Sequence, residues 1–247
     1  MALISHIVKE LAASTGTAEK SITVIARWLR EDGLLSQKGH GRGAAQATPL
    51  DAARLLIALM IGGKSKNAPQ AVRDFGQLVI SPPYLDEENR TSIERHFGLP
   101  SCRTFEEGLA VLIDVWGNGD AMRAMRKYFD RAMRTPRVLA TLHDHSPSGS
   151  IQIENVNAGY SHPHKPRGVK LLDAERPNDG VASWEKLNAR YHSGIENRSL
   201  VTNELLRPLG EVVADLREPG SMQLPDELIP QPKGGGGDAG GNQGHAK

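Results

Sequence analysis

The amino-acid sequence predicts a mainly α-helical protein with a small β component. Apolar residues recur at helical spacing in several segments between residues 8 and 134, and again between 199 and 217. Residues 150–154 alternate apolar and polar side chains, as a half-buried strand does. From residue 219 onward, glycine and polar residues dominate. We therefore expect a mostly helical chain with one short β-hairpin and a disordered C-terminal tail over 219–247.

Two helices joined by a tight turn are predicted near the N-terminus. The first helix carries the small residue Ala12, and Gly16 lies in the turn. The second helix presents Ile22, Ile25 and Leu29 on one face. Two helices that cross steeply need a small residue at the crossing, a glycine in the turn and apolar anchors beyond it. The pattern therefore predicts a helix-turn-helix.

The segment after these helices, residues 34–48, is predicted to form a short hairpin. Its tip over 38–43 reads Lys-Gly-His-Gly-Arg-Gly. Taken together, residues 8–48 resemble the winged helix-turn-helix domain of bacterial and phage transcription regulators. The resemblance covers roughly the first quarter of the chain and implies that this part binds double-stranded DNA.

The resemblance implies that the second helix lies in the major groove of DNA. Polar residues that lie off its apolar stripe are then candidates for contacts with base edges and phosphates. These candidates are Thr17, Glu19, Lys20, Ser21, Thr23, Arg27 and Arg30. We expect Trp28 and Leu29 to pack inside.

The tip of the predicted wing adds Lys38, His40 and Arg42 to the candidate DNA-binding residues. The surrounding glycines allow a tight turn and a close approach to DNA. Arg42 then suits a narrow, electronegative minor groove, and Lys38 suits a phosphate. The alternative is an ordinary flexible hairpin with solvated charges.

Net charge limits the kind of DNA binding that the chain can perform. The formal net charge is +1, with an isoelectric point near 7.9. A protein that coats nucleic acid without sequence preference carries a large positive excess. We therefore expect sequence-specific binding by locally concentrated basic residues. A dimer would suit paired half-sites and would double the phosphate contacts.

A third helix is predicted directly after the wing. Thr48 is a suitable cap, Pro49 suits the first helical position, and Asp51 favours the positive end of the helix dipole. The helix is expected to end at Gly62. This boundary divides the chain into a winged helix-turn-helix over 1–63 and a mostly helical interaction or oligomerisation domain over 64–218.

The second predicted domain contains further helices. They are predicted over 68–79, 91–97, 105–116, 121–134 and 199–217. Thr104 and Glu107 form a capping box before the third of these, and Glu106 and Glu107 are expected at the surface. Ser199 is a candidate cap for the last helix, which Pro208 should kink. This helix is also a candidate for self-association.

Two short motifs predict further features of this domain. Residues 138–143 are expected to pair with the strand at 150–154. A basic segment over 123–137 is either a second phosphate-contacting surface or the solvated face of an amphipathic helix.

Two His-x-His pairs offer the main alternative chemistry. They are His143 with His145 and His162 with His164. Alternate residues on a strand point the same way, so each pair could bind a metal in a metal-dependent enzyme. The sequence has no phosphate-binding loop, dinucleotide fingerprint or nucleophile elbow. We therefore predict no catalytic residue and no cofactor, and we expect that the histidines are solvated or hydrogen-bonded.

Cysteine content and hydropathy indicate the compartment. Cys102 is the single cysteine, which excludes an intramolecular disulfide framework and a cysteine-rich zinc site. The N-terminus lacks the pattern of a signal peptide, and the longest apolar run, residues 55–61, is too short to span a bilayer. We expect a cytoplasmic protein that does not enter membranes.

The sequence thus predicts a sequence-specific DNA-binding protein, in particular a transcriptional regulator that acts as a dimer. One alternative is a DNA-recognition component of a phage or mobile element, with a role in packaging or replication. Another is a protein-interaction module whose helix-turn-helix never contacts DNA.

Overall fold

The structure is a computed structural model that describes part of the 247-residue chain. The described residues are 2–37, 46–62, 65–80, 103–118, 123, 137–143, 147–154, 156–163, 179–191 and 198–216. The predicted helix over 91–97, all of that over 121–134 except Arg123, the wing tip and the predicted tail lie outside them.

Helices account for most of the described residues, which confirms the mainly helical fold class. They are α1 (Ile4–Thr15), α2 (Glu19–Glu31), α3 (Pro49–Ile61), α4 (Ala68–Gly76), α5 (Phe105–Gly117), α6 (Asp179–Tyr191) and α7 (Asn203–Val213). A short 3-10 turn, Ser65–Asn67, precedes α4. Within the described ranges, no helix is long and apolar enough to cross a bilayer.

The β component is larger than the single hairpin that the sequence predicts. The strands are β1 (Val79–Ile80), β2 (Val138–His143), β3 (Ser148–Ile153), β4 (Val156–Ser161) and β5 (Arg198–Thr202). They form one antiparallel sheet in the order β1-β4-β3-β2-β5. The predicted β2–β3 pairing is confirmed, and β4 and β5 extend that hairpin on its two sides.

Two helices begin where their capping residues predict. The Thr48 hydroxyl accepts a hydrogen bond from the Asp51 amide at 3.1 Å, and the Asp51 carboxylate accepts one from the Thr48 amide at 2.8 Å. Thr104 and Glu107 make the same reciprocal pair at the start of α5. Each capping box satisfies amides that the first helical turn leaves without partners.

The last predicted helix begins later than expected. Residues 198–202 pair with β2 as strand β5, so α7 begins at Asn203. Thr202 rather than Ser199 is the cap, because its hydroxyl accepts the Glu204 amide at 3.3 Å. Ser199 instead donates its hydroxyl to the Met60 carbonyl.

One continuous apolar core lies between the helices and one face of the sheet. Helix α5 packs against both α3 and α7, and α1 also packs against α7. The α5–α7 approach requires glycine at position 210, since a Cβ there would lie 2.2 Å from the Ile113 carbonyl oxygen. The core is therefore shared by the segments on both sides of the predicted domain boundary at residue 63.

The apolar stripe of α7 is covered within the chain. Leu206, Leu209 and Val212 are buried in a helix that packs on α1 and α5. This stripe is therefore not available for self-association, because intramolecular packing already uses it. Leu216, beyond the helix, keeps 67% of its surface exposed.

Candidate nucleic-acid interface

A three-residue turn joins α1 to α2, as predicted around Gly16. Gly16 has φ +68° and ψ 6°, a left-handed conformation that favours glycine. Its amide donates to the Ala12 carbonyl at 3.1 Å and closes α1. The Thr17 amide donates to the Thr15 hydroxyl at 3.3 Å. These bonds fix the direction in which the chain enters α2.

Helix α2 is attached to the core by a narrow apolar face. Ile22, Ala26 and Leu29 are buried, and Ile25 is half-buried. Trp28 keeps 40% of its surface exposed, so the expectation that it packs inside is wrong. Trp28 precedes Leu29 by one residue, and successive helical residues point about 100° apart. The buried face of α2 therefore includes Leu29 and leaves Trp28 partly exposed to solvent.

The predicted contact residues of this region fall on the solvent side. All of those on α2 are exposed, and Thr17 in the turn is half-buried. The exposed residues are Glu19, Lys20, Ser21, Thr23, Arg27 and Arg30. The structure thus brings these candidates onto one accessible helix. The wing candidates Lys38, His40 and Arg42 lie outside the described residues.

Two of the candidates bond to their own helix. The Thr23 hydroxyl donates to the Glu19 carbonyl at 2.9 Å, which leaves the hydroxyl oxygen as an acceptor. The Arg27 Nε donates to Glu31 Oε1 at 2.7 Å. This hydrogen bond and the Glu31 charge raise the pKa of the Arg27 guanidinium. Arg27 is therefore charged and oriented, with further N–H donors available.

A buried carboxylate closes the base of the predicted wing. Asp51 is 2% exposed and accepts hydrogen bonds from both the amide and the hydroxyl of Ser36, at 2.7 and 2.8 Å. It also accepts the amide and hydroxyl of Thr48, each at 2.8 Å. Ser36 and Thr48 flank the wing segment, so one side chain ties its two ends together. We call this arrangement the Asp51 clasp.

The two limbs of the predicted hairpin have different partners. Gln46 pairs with Leu3 in an antiparallel bridge, and the Ala47 amide donates to the Ala2 carbonyl at 3.0 Å. Among the residues of 34–48 that the structure describes, no backbone hydrogen bond joins one limb to the other. The returning limb is therefore attached to the segment before α1.

Glu106 belongs to a buried network, which corrects the expectation of a surface carboxylate. It is 5% exposed. Arg54 Nε donates to Glu106 Oε2 at 2.9 Å and Arg54 Nη2 donates to Glu106 Oε1 at 3.1 Å. Gln77 also donates to Oε1, at 2.7 Å, and Arg54 Nη1 donates to the Leu34 carbonyl at 2.7 Å. The network links α3, α5 and the segment that follows α2.

The sheet register brings His143 and His162 to the same end of the sheet. His143 pairs with Ser148, which pairs in turn with Ser161 next to His162. His143 alternates with buried residues that face the helices, so it lies on the opposite face. The His162 ring, in contrast, lies 5.9 Å from the Trp184 ring of α6.

The described residues do not bring together a set of metal ligands from the two His-x-His pairs. His145 and His164, the second members of the two pairs, lie outside the described residues. Across the ranges that the structure does describe, no group of three or more His, Cys, Asp or Glu side chains is placed to hold a metal ion.

A second polar surface was not predicted from the sequence. Arg73, Lys186 and Arg190 line a cleft between α4 and α6. Helix α6 itself was missed, although Trp184, Leu187 and Tyr191 recur at helical spacing and provide the signal that would have found it. The cleft draws its cations from distant segments, so no local pattern predicts it.

The chain matches no protein-family model, and neither curated protein sequences nor solved structures show significant similarity to it. The fold and the exposed surface of α2 define a mainly helical protein with an accessible polar helix behind a glycine turn. Any functional assignment must therefore come from the chemistry of these residues.

Proposed function

We propose that the protein binds double-stranded DNA sequence-specifically, with α2 in the major groove, and that it acts as a transcriptional regulator. One observation carries the proposal. Helix α2 follows a tight glycine turn, anchors to the core through Ile22, Ala26 and Leu29, and leaves its polar residues exposed. A recognition helix needs this arrangement, because its outward side chains must reach base edges in the groove.

The exposed side chains have chemistries that suit different parts of DNA. Arg27 can pair with the acceptors of guanine, and the Thr23 hydroxyl oxygen can accept a hydrogen bond from a base edge. Val24, which is 38% exposed, can contact a thymine methyl group. Lys20 and Arg30 suit phosphates. Helix α2 carries three cations and two carboxylates, a small excess that favours specific over indiscriminate binding.

The Asp51 clasp supports a role for the predicted wing. The clasp joins Ser36 to Thr48, which lie on either side of the predicted wing tip, and Ser36 follows the end of α2 closely in the chain. This position would allow the tip residues to reach the DNA backbone next to α2. We propose phosphate contacts for Lys38 and His40 and a minor-groove contact for Arg42.

The test is selection of bound fragments from a random duplex library with the full-length protein at two salt concentrations. We expect a short enriched motif. Arg27→Ala should relax preference at one base pair, and Lys20→Ala should weaken binding to all sequences while lowering the salt slope by about 0.9. Arg103→Ala, an exposed arginine before α5, is the matched control.

Two outcomes would contradict the proposal. The first is the absence of an enriched motif together with binding that does not change with salt, since phosphate contacts weaken as salt rises. The second is an Arg27→Ala variant with unchanged affinity and specificity, which would reject α2 as the recognition helix.

We also propose that the protein binds DNA as a dimer. Because the apolar stripe of α7 is covered, another surface would have to form the dimer. An inverted repeat in the selected motif and a two-to-one complex by analytical ultracentrifugation would support this. A one-to-one complex on a motif without symmetry would reject the dimer and leave DNA binding intact.

A protein partner for α2 is a second candidate function, favoured by one observation. Val24 and Trp28 lie four residues apart on the exposed side of α2, at 38% and 40% exposure. Exposed tryptophan is frequent at the centres of protein interfaces. Fluorescence of Trp28 discriminates between the two functions. A change on addition of selected DNA that is lost in Trp28→Phe supports α2 as the DNA-binding surface. DNA binding without such a change, or the absence of any selected DNA, favours a protein partner for α2.

A further inference from the structure

We propose that a cleft between α4, α6 and the residues after β4 binds a phosphate-bearing small molecule. The cleft has a volume of about 290 Å³. Its polar lining comprises Arg73, Asp74, Gln77, His162, Lys186 and Arg190. Three cationic side chains thus surround a space that contains one carboxylate. Arginine and lysine are the side chains that proteins use to bind phosphate groups.

The charges of the cleft are only partly neutralised. Asp74 accepts hydrogen bonds from Arg190 and, at 2.9 Å, from the Tyr191 hydroxyl. Arg73 forms an ion pair with Asp32. Lys186 is exposed and has no ion-pair partner among the described residues. Three cations against two carboxylates leave a positive excess, which a phosphate group would compensate.

An adjoining cavity offers space for the remainder of such a ligand. It has a volume of about 530 Å³ and shares Arg190 with the cleft. Ile61, Ala71 and Tyr191 contribute to its wall, and Asn67 and Gln70 add amide groups. The volume lies within the range of about 300–1,000 Å³ that is typical of small-molecule sites. A nucleotide-sized ligand would place its phosphate in the basic cleft and its remaining atoms on the other side of Arg190.

The cleft is connected to α2 through one residue. Arg73 lines the cleft, and its ion-pair partner Asp32 is the first residue after α2. A phosphate that binds Arg73 competes with Asp32 and so changes the restraint on the end of α2. The prediction that the ligand changes DNA affinity rests on the proposed function. The prediction that the ligand binds the cleft is independent of it. If the two are coupled, DNA must alter ligand affinity by the same factor.

The experiment is isothermal titration calorimetry of the full chain with pyrophosphate, AMP and ATP at constant ionic strength. We expect saturable binding of at least one probe. Lys186→Gln should weaken it about tenfold, because it removes a charged hydrogen-bond donor. Lys186 has no ion-pair partner among the described residues, so the variant should keep its melting temperature. Lys9→Gln, an exposed lysine on α1, should bind as the wild type does.

Three results would overturn the proposal. They are no binding of any probe, probe binding that is unchanged in Lys186→Gln, and an equal loss in Lys186→Gln and Lys9→Gln. If no probe binds and Lys186→Gln lowers DNA affinity, the cleft belongs instead to the DNA-binding surface. Saturable probe binding in a protein that selects no DNA would keep the ligand site and reject the proposed function, so the two failures are distinguishable.

Discussion

Arg54 and Glu106 form a bidentate ion pair between α3 and α5, across 52 residues of sequence. The same guanidinium donates to the Leu34 carbonyl, just after α2. One partly buried pair therefore connects the helices of the core with the base of the predicted wing. The hydrogen bond to Glu106 raises the pKa of Arg54, so the guanidinium stays charged at physiological pH.

Removal of Arg54 should destabilise the protein. In Arg54→Met, the Glu106 carboxylate stays buried with only the Gln77 hydrogen bond that the structure records. We expect the free energy of unfolding in urea to fall by about 2–3 kcal/mol, below the full cost of breaking a buried pair because Arg54 keeps 21% of its side chain exposed. The double variant Arg54→Met/Glu106→Leu should recover part of this loss. Equal destabilisation of both variants would show that the unpaired charge is not the cause.

Asp51→Asn should weaken both stability and DNA binding. The substitution removes the charge that four hydrogen bonds converge on. We expect a loss of about 2 kcal/mol in the free energy of unfolding. We also expect weaker DNA binding, because the ends of the predicted wing are no longer joined.

Glu107→Gln is the matched control for the Asp51 clasp. Glu107 occupies the same capping position in α5 as Asp51 does in α3, but it is not next to the predicted wing. The substitution should cost less stability and leave DNA affinity unchanged. A similar loss of DNA affinity in Asp51→Asn and Glu107→Gln would show that the Asp51 clasp has no specific role in DNA binding.

Glu31→Gln should strengthen DNA binding. It releases the Arg27 guanidinium from its own helix and removes a negative charge near the phosphates. We expect about two- to fivefold tighter binding at low salt, with a smaller gain as salt rises. Fluorescence anisotropy with the selected duplex measures the change.

Helix α7 provides a control of the same geometry. Arg207 and Glu211 form an ion pair at the same spacing, with an Nε–Oε1 distance of 2.9 Å. Glu211→Gln should leave DNA affinity unaltered.

The opposite outcome for Glu31→Gln has a different meaning. Weaker DNA binding by this variant would indicate that Glu31 accepts a hydrogen bond from a base.

Tyr191 should make stability depend on pH in the alkaline range. Burial, together with the Asp74 charge, raises the pKa of the Tyr191 hydroxyl well above its ordinary value of 10.0. The unfolded chain therefore loses this proton at a lower pH than the folded chain does. The stabilising contribution is complete below pH 10 and is lost as pH rises toward the folded-state pKa.

The measurement compares melting temperatures of wild type and Tyr191→Phe between about pH 9 and about pH 11. The wild type should lose more stability over this interval than the variant does. Tyr191→Phe also lacks the bond to Asp74, so its melting temperature should be lower at neutral pH. If the melting temperatures of wild type and Tyr191→Phe fall in parallel with pH, groups other than Tyr191 cause the loss of stability in the alkaline range.

Features set by neighbouring residues were predictable from the sequence. Thr48 and Thr104 each bond to a residue three positions away, so their helix starts are encoded locally. The turn at Gly16 and the narrow apolar face of α2 are local in the same sense. The exposure of the α2 candidates followed from that face. The Arg27–Glu31 pair has a spacing of four residues and was also open to prediction.

Features that depend on distant segments were missed. Residues 198–202 became strand β5 because β2 offered a free edge, which no pattern near residue 200 reveals. Ala158 and Tyr160 in β4 alternate with polar or small residues, which is only a weak signal of a strand. Glu106 is buried because Arg54 lies opposite it. A lone arginine in the apolar run of α3 was the available sign of such a partner.

The packing of α1 against α7 has a consequence for how the protein is made. During synthesis, α1 and α2 leave the ribosome well before residues 203–213, which provide a surface that covers α1. The face of α1 that packs on α7 therefore stays uncovered until nearly all of the described chain has emerged. Such long-range contacts also slow folding. A nascent chain stalled before α7 should expose α1 to chaperones and proteases, so the surface proposed to bind DNA becomes fully formed only late in translation.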